Sequence, residues 1–325
     1  MTATQTGSAT FDLCPACDST EARTLFHSTD RLYHTTGKDF AVVECRQCGL
    51  IRLFPPPLPE ELGRYYPEDY WFAAGETAAA RLEETYRRFV LRDHVGFVRR
   101  ALLASGESGV VLDVGCGGGL FLKMLKESGV SVAGLDFSRE AAGIAWRSNG
   151  VPAVCGSLAK APFARKSCAI VTMFHVLEHL YDPASYLETA RELLQANGRL
   201  VIQVPNASCW QFLLFGERWN GVDVPRHLTN FRKRDIERLL DHCGFEVLRW
   251  KHFSLRDNPA GLATTLVPAL DPMARRVRHV AETSVQKLGK DLAYVGLVVA
   301  SLPFTLLEAA CRAGSTIMVE ARKRS

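Results

Sequence analysis

The sequence predicts an α/β chain: a doubly wound, largely parallel sheet, preceded by a small metal-stapled module and interrupted near its end by a helical insertion. Three observations carry this. The apolar run from Val110 to Val114 ends in a glycine loop, followed by a helical stretch and a second apolar run, which is a β-loop-α-β unit. Strand-like and helix-like segments then alternate toward the last residues, as layered α/β proteins require. Ahead of them stand two C-x-x-C pairs, Cys14/Cys17 and Cys45/Cys48.

Composition narrows the classes. The 325 residues are 47% hydrophobic and 23% charged, within the ordinary globular range. A net charge of +4 is too mild to argue for a nucleic-acid partner, and basic-aromatic runs are lacking. The opening MTATQTGSAT has neither a basic nor an apolar secretory segment, so a reducing, cytoplasmic setting is expected. The ten cysteines are then not expected to form a disulfide framework.

Residues 1–54 read as the metal module. Each C-x-x-C knuckle turns two thiolates toward one point, and two knuckles complete a tetrahedral shell for Zn²⁺. A redox pair is the competing use of such spacing. Four thiolates leave no open position, so the expected zinc is structural and stabilises a module of about 50 residues that is too small for a good core. Gly49 relieves the turn after the second knuckle. Residues 55–76 form a proline-rich connector with Tyr65, Tyr66, Tyr70 and Trp71. It is either a stiff linker or a flap that folds aromatic rings over a ligand. A helix is expected from near Thr77 to Leu103, with Phe89, Val90, Phe97 and Val98 in its apolar stripe.

The sheet follows over residues 77–253 and 316–325. After Val110–Val114, Leu120 to Lys126 reads as a helix, and Val130 to Leu135 as a strand ending at Asp136. Ser138 is a good N-cap for a helix that ends at Asn149-Gly150. VPAVCGSLAKAPF holds a third strand and CAIVTMFHV a fourth. Asp182-Pro183 opens a helix expected to stop at Asn197-Gly198. RLVIQVPN is the fifth strand, KRDIERLLDHCGF a helix, EVLRWKHFS the sixth strand and TIMVEARK the seventh.

The glycine loop is the most specific signal. A dinucleotide fingerprint would need glycine at 120, which is Leu120, and a P-loop would need Gly-Lys-Ser/Thr, which is missing. What stands here is Asp113-x-Gly115-x-Gly117-x-Gly119, with a second acid, Asp136, ending the next strand. Glycines without Cβ atoms let the backbone pack against a cofactor. An acid at position 136 can accept both hydroxyls of a ribose. This arrangement resembles the first motif of class I S-adenosylmethionine-dependent methyltransferases. CPAC, CRQCGL, PPPLPEELGRYYPEDYW, LDVGCGGG, HVLEHL and PRHLTNF together resemble the bacterial group of that family with an N-terminal four-cysteine module.

The resemblance implies a Rossmann-like seven-stranded sheet with a zinc-ribbon-like module. It implies S-adenosyl-L-methionine as cofactor, contacted by Asp113, Gly115, Cys116, Gly117, Gly119, Asp136, Phe137, Ser157, Leu158 and His175. Ser157 stands where the family often has an acid for the adenine amino group. The implied function is methyl transfer to an oxygen or carbon of a small molecule, a sugar or a lipid-linked intermediate. Such in-line displacement needs alignment and, for an alcohol, a base. His227, in PRHLTNF, is the first candidate, because similar sugar C-methyltransferases carry a histidine base in a comparable element. They usually have Glu before it, where this chain has Arg226. His179 and Glu178 follow as candidates.

The string His175-x-x-Glu178-His179 also matches a zinc-peptidase signature. That chemistry needs both histidines on one helix, and AIVTMFHV reads as a strand, so the peptidase reading fails. Quinone O-methyltransferases resemble the string with E-x-x-E-H, which binds a divalent cation; here His175 replaces the first Glu. A non-catalytic module gripping a partner through its knuckles is the remaining alternative. Residues 254–315 form the helical insertion between the last two strands. Leu292 to Cys311 is long enough to span a membrane. Strands six and seven must lie side by side, however, so the chain must return to the side it left. The expectation is either an in-plane anchor, with Arg275, Arg276 and Arg278 meeting anionic lipid, or a lid or dimer surface on protein. Monomer and homodimer both remain open.

Overall fold

A computed structural model describes residues 13–67 and 78–324. Tyr70, Trp71 and Thr77 lie outside the described residues. The N-terminal module folds as β1 (Ala22–Ser28), β2 (Phe40–Cys45) and β3 (Ile51–Phe54), paired antiparallel. β2 and β3 are apolar and β-branched, and both are largely buried. The second knuckle is the turn between them. Gly49 sits at φ +81°, where a Cβ is disfavoured, and its N–H donates to the Cys45 carbonyl.

The main domain begins with α1 (Ala78–Ser105), then β4 (Val110–Val114), α2 (Leu120–Glu127), β5 (Val132–Asp136), α3 (Arg139–Arg147) and β6 (Ala153–Cys155). β7 (Cys168–Phe174), α4 (Pro183–Leu193) and β8 (Leu194–Pro205) follow. Ser138 and Asp182 cap α3 and α4 as expected, each accepting from a backbone N–H. Next come α5 (Trp210–Phe215), β9 (Thr229–Asn230), α6 (Lys233–His242) and β10 (Phe245–Lys251). The insertion carries α7 (Asn258–Leu266), α8 (Pro272–Val277) and α9 (Ser284–Ala310), and β11 (Thr316–Lys323) ends the fold.

The seven-stranded sheet runs β10-β11-β8-β7-β4-β5-β6. Its interior pairs are parallel, and only β11 runs antiparallel to its neighbours. One face packs on Phe97, Val98, Phe121 and Leu122 of α1 and α2, the other on Leu187, Ala190, Ile236 and Leu240 of α4 and α6. Strands buried on both faces explain the continuous apolar runs. Cys14, Cys45 and Leu50 join the second core, so the module is packed on the sheet domain.

Two expectations are corrected. The helix expected to end at Asn197-Gly198 stops at Leu193, and Leu194 is already extended. The β7–β8 register jumps from Cys168↔Leu194 to Ile170↔Arg199, so residues 195–198 loop out of the ladder. A Cβ on Gly198 would lie 3.1 Å from the Ala169 carbonyl oxygen, so that glycine serves a bulge and not a helix cap. Arg275, which the in-plane-anchor alternative turns toward lipid, is buried and ion-paired with Glu282 at 2.6 Å and with Asp291. β10 and β11 are indeed neighbours, and Glu308 is buried against Gln211, accepting from its backbone N–H at 3.1 Å and its amide at 2.8 Å. α9 therefore lies along the fold.

Candidate active site

The carboxyl ends of β4, β5 and β7 build the site. After β4, Gly115, Gly117 and Gly119 all have left-handed φ, at +75°, +52° and +76°. A Cβ on Gly115 would meet Val176 Cγ2 at 2.6 Å, and one on Gly119 would meet Ala145 Cβ at 2.9 Å. Chirality and space both demand glycine. Asp136, at the end of β5, is buried and braces the loop. Its Oδ2 accepts the Gly117 N–H at 2.9 Å and its Oδ1 the Ser138 N–H at 2.9 Å. Burial raises the Asp136 pKa despite these bonds. Asp113 is buried as well; burial raises its pKa to about 7, and the Thr172 hydroxyl donates to it. This cradle of bare backbone over a buried carboxylate fits an adenosine-bearing cofactor.

β7 ends at Phe174, and His175 follows at φ +56°, which turns the chain sharply into a single 3₁₀ turn, Leu177–His179. The H-x-x-E-H string therefore straddles a strand end and a turn, as the β-branched run implied. His175 Nδ1 lies 3.1 Å from Glu178 Oε1, and Nε2 lies 3.6 Å from Asp257 Oδ1. Burial opposes a charge on His175, but these two carboxylates outweigh it and raise the pKa to about 9. Glu178 Oε2 is buried and has no hydrogen-bond partner among the described residues.

His179 and His227 face each other edge to face, ring centroids 4.7 Å apart. Each points Nδ1 at a backbone carbonyl. His179 reaches the Arg226 oxygen at 2.9 Å, and His227 the Gly221 oxygen at 2.9 Å. Donation from Nδ1 leaves a lone pair on Nε2 of both rings. Burial, joined by His227, lowers the His179 pKa to about 4, so it is neutral at neutral pH. Asp223 Oδ2 stands 3.8 Å from His227 Nε2. Tyr66 completes the group: its hydroxyl is 3.0 Å from His179 Nδ1, and its ring packs edge-on against Phe137, which is otherwise exposed. The connector thus lays one tyrosine across the sheet edge, between the cofactor-side loop and the histidines. Ligand atoms of Glu178, His179 and His227 all lie within 4.8 Å of one another, which also suits a divalent cation.

The other predicted residues are placed more loosely. Cys116 is buried, its thiol directed at the Gly117 carbonyl. Leu158 is core, and Ser157 precedes its short turn with no side-chain cap bond. Sequence reasoning missed Asp257. This half-buried carboxylate at the start of α7 accepts from Gln203 Nε2 at 2.7 Å and from the Ser254 hydroxyl. Burial opposes its ionisation, yet Arg256 and His175 hold its pKa far below the carboxylate range. Its only local signal was Asp-Asn-Pro as a helix opening after the sixth strand.

In the module, Cys14 and Cys48 sulfurs are 3.6 Å apart, as are those of Cys17 and Cys45. A tetrahedron of 2.3 Å Zn–S bonds has edges of about 3.8 Å. The donor set and spacing therefore fit zinc.

A model of the methyltransferase-domain family matches residues 85–249, just over half of the chain. The chain belongs to this methyltransferase-domain family. Among similar proteins, a probable S-adenosylmethionine-dependent methyltransferase of Mycolicibacterium smegmatis is 28% identical over 166 residues, covering 51% of this chain and 61% of that one. A ubiquinone biosynthesis O-methyltransferase of Glaesserella parasuis is 28% identical over 135 residues, covering 38% of this chain and 57% of that one. The chain thus spans about three fifths of the length of these curated relatives. The geranyl diphosphate C-methyltransferase of Streptomyces coelicolor shares the fold, with a TM-score of 0.50 at 14% identity, covering 83% of this chain and 100% of that one. The family match runs from within α1 into β10, so it includes the glycine loop, Asp136, the His175–His179 turn and His227, but neither the four-cysteine module nor the insertion. In this member of the methyltransferase-domain family, those two elements flank the shared sheet edge, Tyr65 meeting Arg226 from the connector and Asp257 meeting His175 from the insertion.

Proposed function

We propose that this chain transfers the methyl group of S-adenosylmethionine to an oxygen or carbon of a small acceptor, a sugar or lipid-linked intermediate. The observation that carries the reading is the paired imidazoles of His179 and His227 beside the glycine cradle, each with Nδ1 committed to a carbonyl. The cofactor supplies an activated sulfonium methyl. Asp136 and the glycine loop hold its adenosine part, and Asp113, Cys116, Phe137, Ser157, Leu158 and His175 line the same edge. His227 Nε2 takes the acceptor proton, with Asp223 at hand to balance the imidazolium. His179, neutral and edge-on to His227, adds no second positive charge to the imidazole pair, and Glu178 steadies the turn through His175.

The test is transfer of label from methyl-labelled S-adenosylmethionine into soluble and membrane extracts. His227→Gln should lose transfer by about 10²–10⁴-fold, the usual worth of a general base, while still binding the cofactor. Equal transfer by the variant would sink the role of His227.

A divalent cation on Glu178, His179 and His227 is the second reading, favoured by their ligand spacing and the orphaned Glu178 oxygen. It would make the histidines ligands in place of bases. Loss of transfer on dialysis against a chelator, restored by Fe²⁺ or Mn²⁺ while the zinc stays bound, would select it.

Zinc on Cys14, Cys17, Cys45 and Cys48 is proposed as structural. One zinc per chain is expected by elemental analysis, and Cys45→Ser should release it and lower the melting temperature. A variant that keeps both its thermal stability and the fold without metal would refute this role.

Peripheral membrane contact through α9 is part of the proposal. The helix is inverted: it buries Ser301, Thr305 and Glu308, and exposes Val285, Leu288, Leu292, Val295, Val299 and Leu306. Apolar side chains turned outward call for apolar surroundings. Flotation with anionic liposomes is expected, and Leu292→Glu with Val299→Glu should abolish it. If the unaltered protein stayed at the bottom of the gradient, the surface would belong to a lid or dimer contact.

A further inference from the structure

We infer that the four-cysteine module is the positioning element of the catalytic histidines, acting through Arg226 and through a strand that it shares with the loop bearing His227. This rests on the methyl-transfer reading of the site and goes beyond a purely structural role for the zinc.

The shared strand is β9. Among the described residues the module sheet runs β1-β2-β3-β9, so its fourth strand comes from nearly two hundred residues downstream. Ile51 pairs with Asn230 and Arg52 with Thr229, and the Leu53 N–H donates to the Leu228 carbonyl at 2.9 Å. Beyond it, Arg232 donates to the Gly49 carbonyl at 3.0 Å and pairs with Glu44. Both of those partners lie beside the second cysteine knuckle.

The second tie is Arg226, which is fully buried. Its two terminal nitrogens each reach an Asp30 oxygen at 2.9 Å, and its guanidinium also binds Asp223, at 2.6 Å at closest. It donates to the Tyr65 carbonyl at 3.2 Å, and its charge lies 4.5 Å from the centroid of the Tyr33 ring. Asp30, Tyr33 and Tyr65 all belong to the module or its connector. A bidentate guanidinium in this setting has one orientation, unlike an ammonium on a flexible stem.

The backbone carries this anchoring to the chemistry. The Arg226 carbonyl receives His179 Nδ1, the next residue is His227, and the Leu228 N–H donates to the Glu178 carbonyl at 2.7 Å. The stretch 226–230 is therefore gripped by the module on one side and by the Glu178–His179 turn on the other. Asp30 and Arg226 touch neither cofactor loop nor reacting nitrogen, so they are positioning residues. Misplacing a base by about 1 Å can cost on the order of 100-fold in rate.

The test uses the whole 325-residue chain, zinc-loaded and labelled with ¹⁵N-histidine. Imidazole spectra are recorded at one neutral pH for the unaltered protein, Asp30→Asn and Arg226→Lys, with signals assigned by His179→Gln and His227→Gln. Calorimetry with S-adenosylmethionine runs in parallel. The unaltered protein should hold both rings as single Nδ1–H tautomers. Both variants should lose that fixed pattern at His179 and His227 while binding S-adenosylmethionine unchanged. If a folded variant keeps both tautomers and merely melts earlier, the module is only a stabiliser and the inference is overturned. Should both variants fail to fold, Glu44→Gln cuts the more accessible Arg232 tie, and the same two outcomes decide. Failure of the unaltered protein to bind S-adenosylmethionine would sink the methyl-transfer reading instead, and the imidazole comparison would still decide the coupling.

Discussion

Asp136→Ala is expected to weaken S-adenosylmethionine binding by at least about 100-fold. Each oxygen of Asp136 already accepts one backbone N–H, from Gly117 or Ser138, and each keeps a lone pair for a ribose hydroxyl. Hydrogen bonds to a charged group are worth roughly 1.5–3 kcal/mol each, so losing two removes about 3–6 kcal/mol. At about 1.4 kcal/mol per tenfold, that is two to four decades. The substitution also releases the Gly117 N–H and so loosens the left-handed loop itself. Asp136→Asn should fall between, because its amide can accept on one side only and opposes an N–H on the other. Isothermal calorimetry measures both, and an alanine variant within tenfold of the unaltered protein would refute this assignment of Asp136.

Arg226→Met is expected to cost about 3–5 kcal/mol of folding stability, the usual result of stranding buried carboxylates without their cation. Asp30 and Asp223 would be those carboxylates, at 2% and 14% exposure of residue and side chain respectively. The pH dependence provides an independent check. Burial opposes ionisation of Asp30, but Arg226 and the Thr35 hydroxyl outweigh it and bring its pKa to about 2, below the ordinary 3.8. A depressed carboxyl contributes stability that is fully present above its unfolded pKa and lost as pH falls through its folded value. In the unaltered protein this contribution is therefore complete at neutral pH and fades between about pH 4 and pH 2. The variant lacks it, so the deficit should be largest at neutral pH and shrink in acid. Urea unfolding across that range reads both numbers. A deficit independent of pH would mean that packing, not the ion triad, carries the stability.

The sheet was legible because its signals are local. Val110–Val114, Cys168–Phe174 and Leu200–Val204 are short apolar runs long enough only for buried strands, and Ser138 and Asp182 are caps whose partners lie three residues away. The glycine loop was legible for the same reason: three left-handed positions need three glycines, whatever surrounds them. The false helix end at Asn197-Gly198 came from a signal with two meanings, since Asn-Gly suits a helix cap and a strand bulge equally. Packing of Gly198 on the Ala169 carbonyl made the choice. The anchor alternative fails for Arg275 because a run of arginines looks the same in sequence whether it meets lipid or Glu282 and Asp291.

By itself the sequence determined the glycine loop, the two cysteine knuckles, the succession of the sheet's strands along the chain and the rejection of a helical peptidase motif. All of these rest on residue type and short spacing, which the chain carries wherever it goes. Only the tertiary structure decided that His227 meets His179, that Asp257 reaches His175 from the insertion, and that the cysteine module lends its sheet to the strand after Arg226. Those contacts join residues from 48 to 179 positions apart. No periodicity encodes such pairings, because they arise where loops converge at one edge of a sheet. A buried guanidinium finds its carboxylates only after the fold has closed around them.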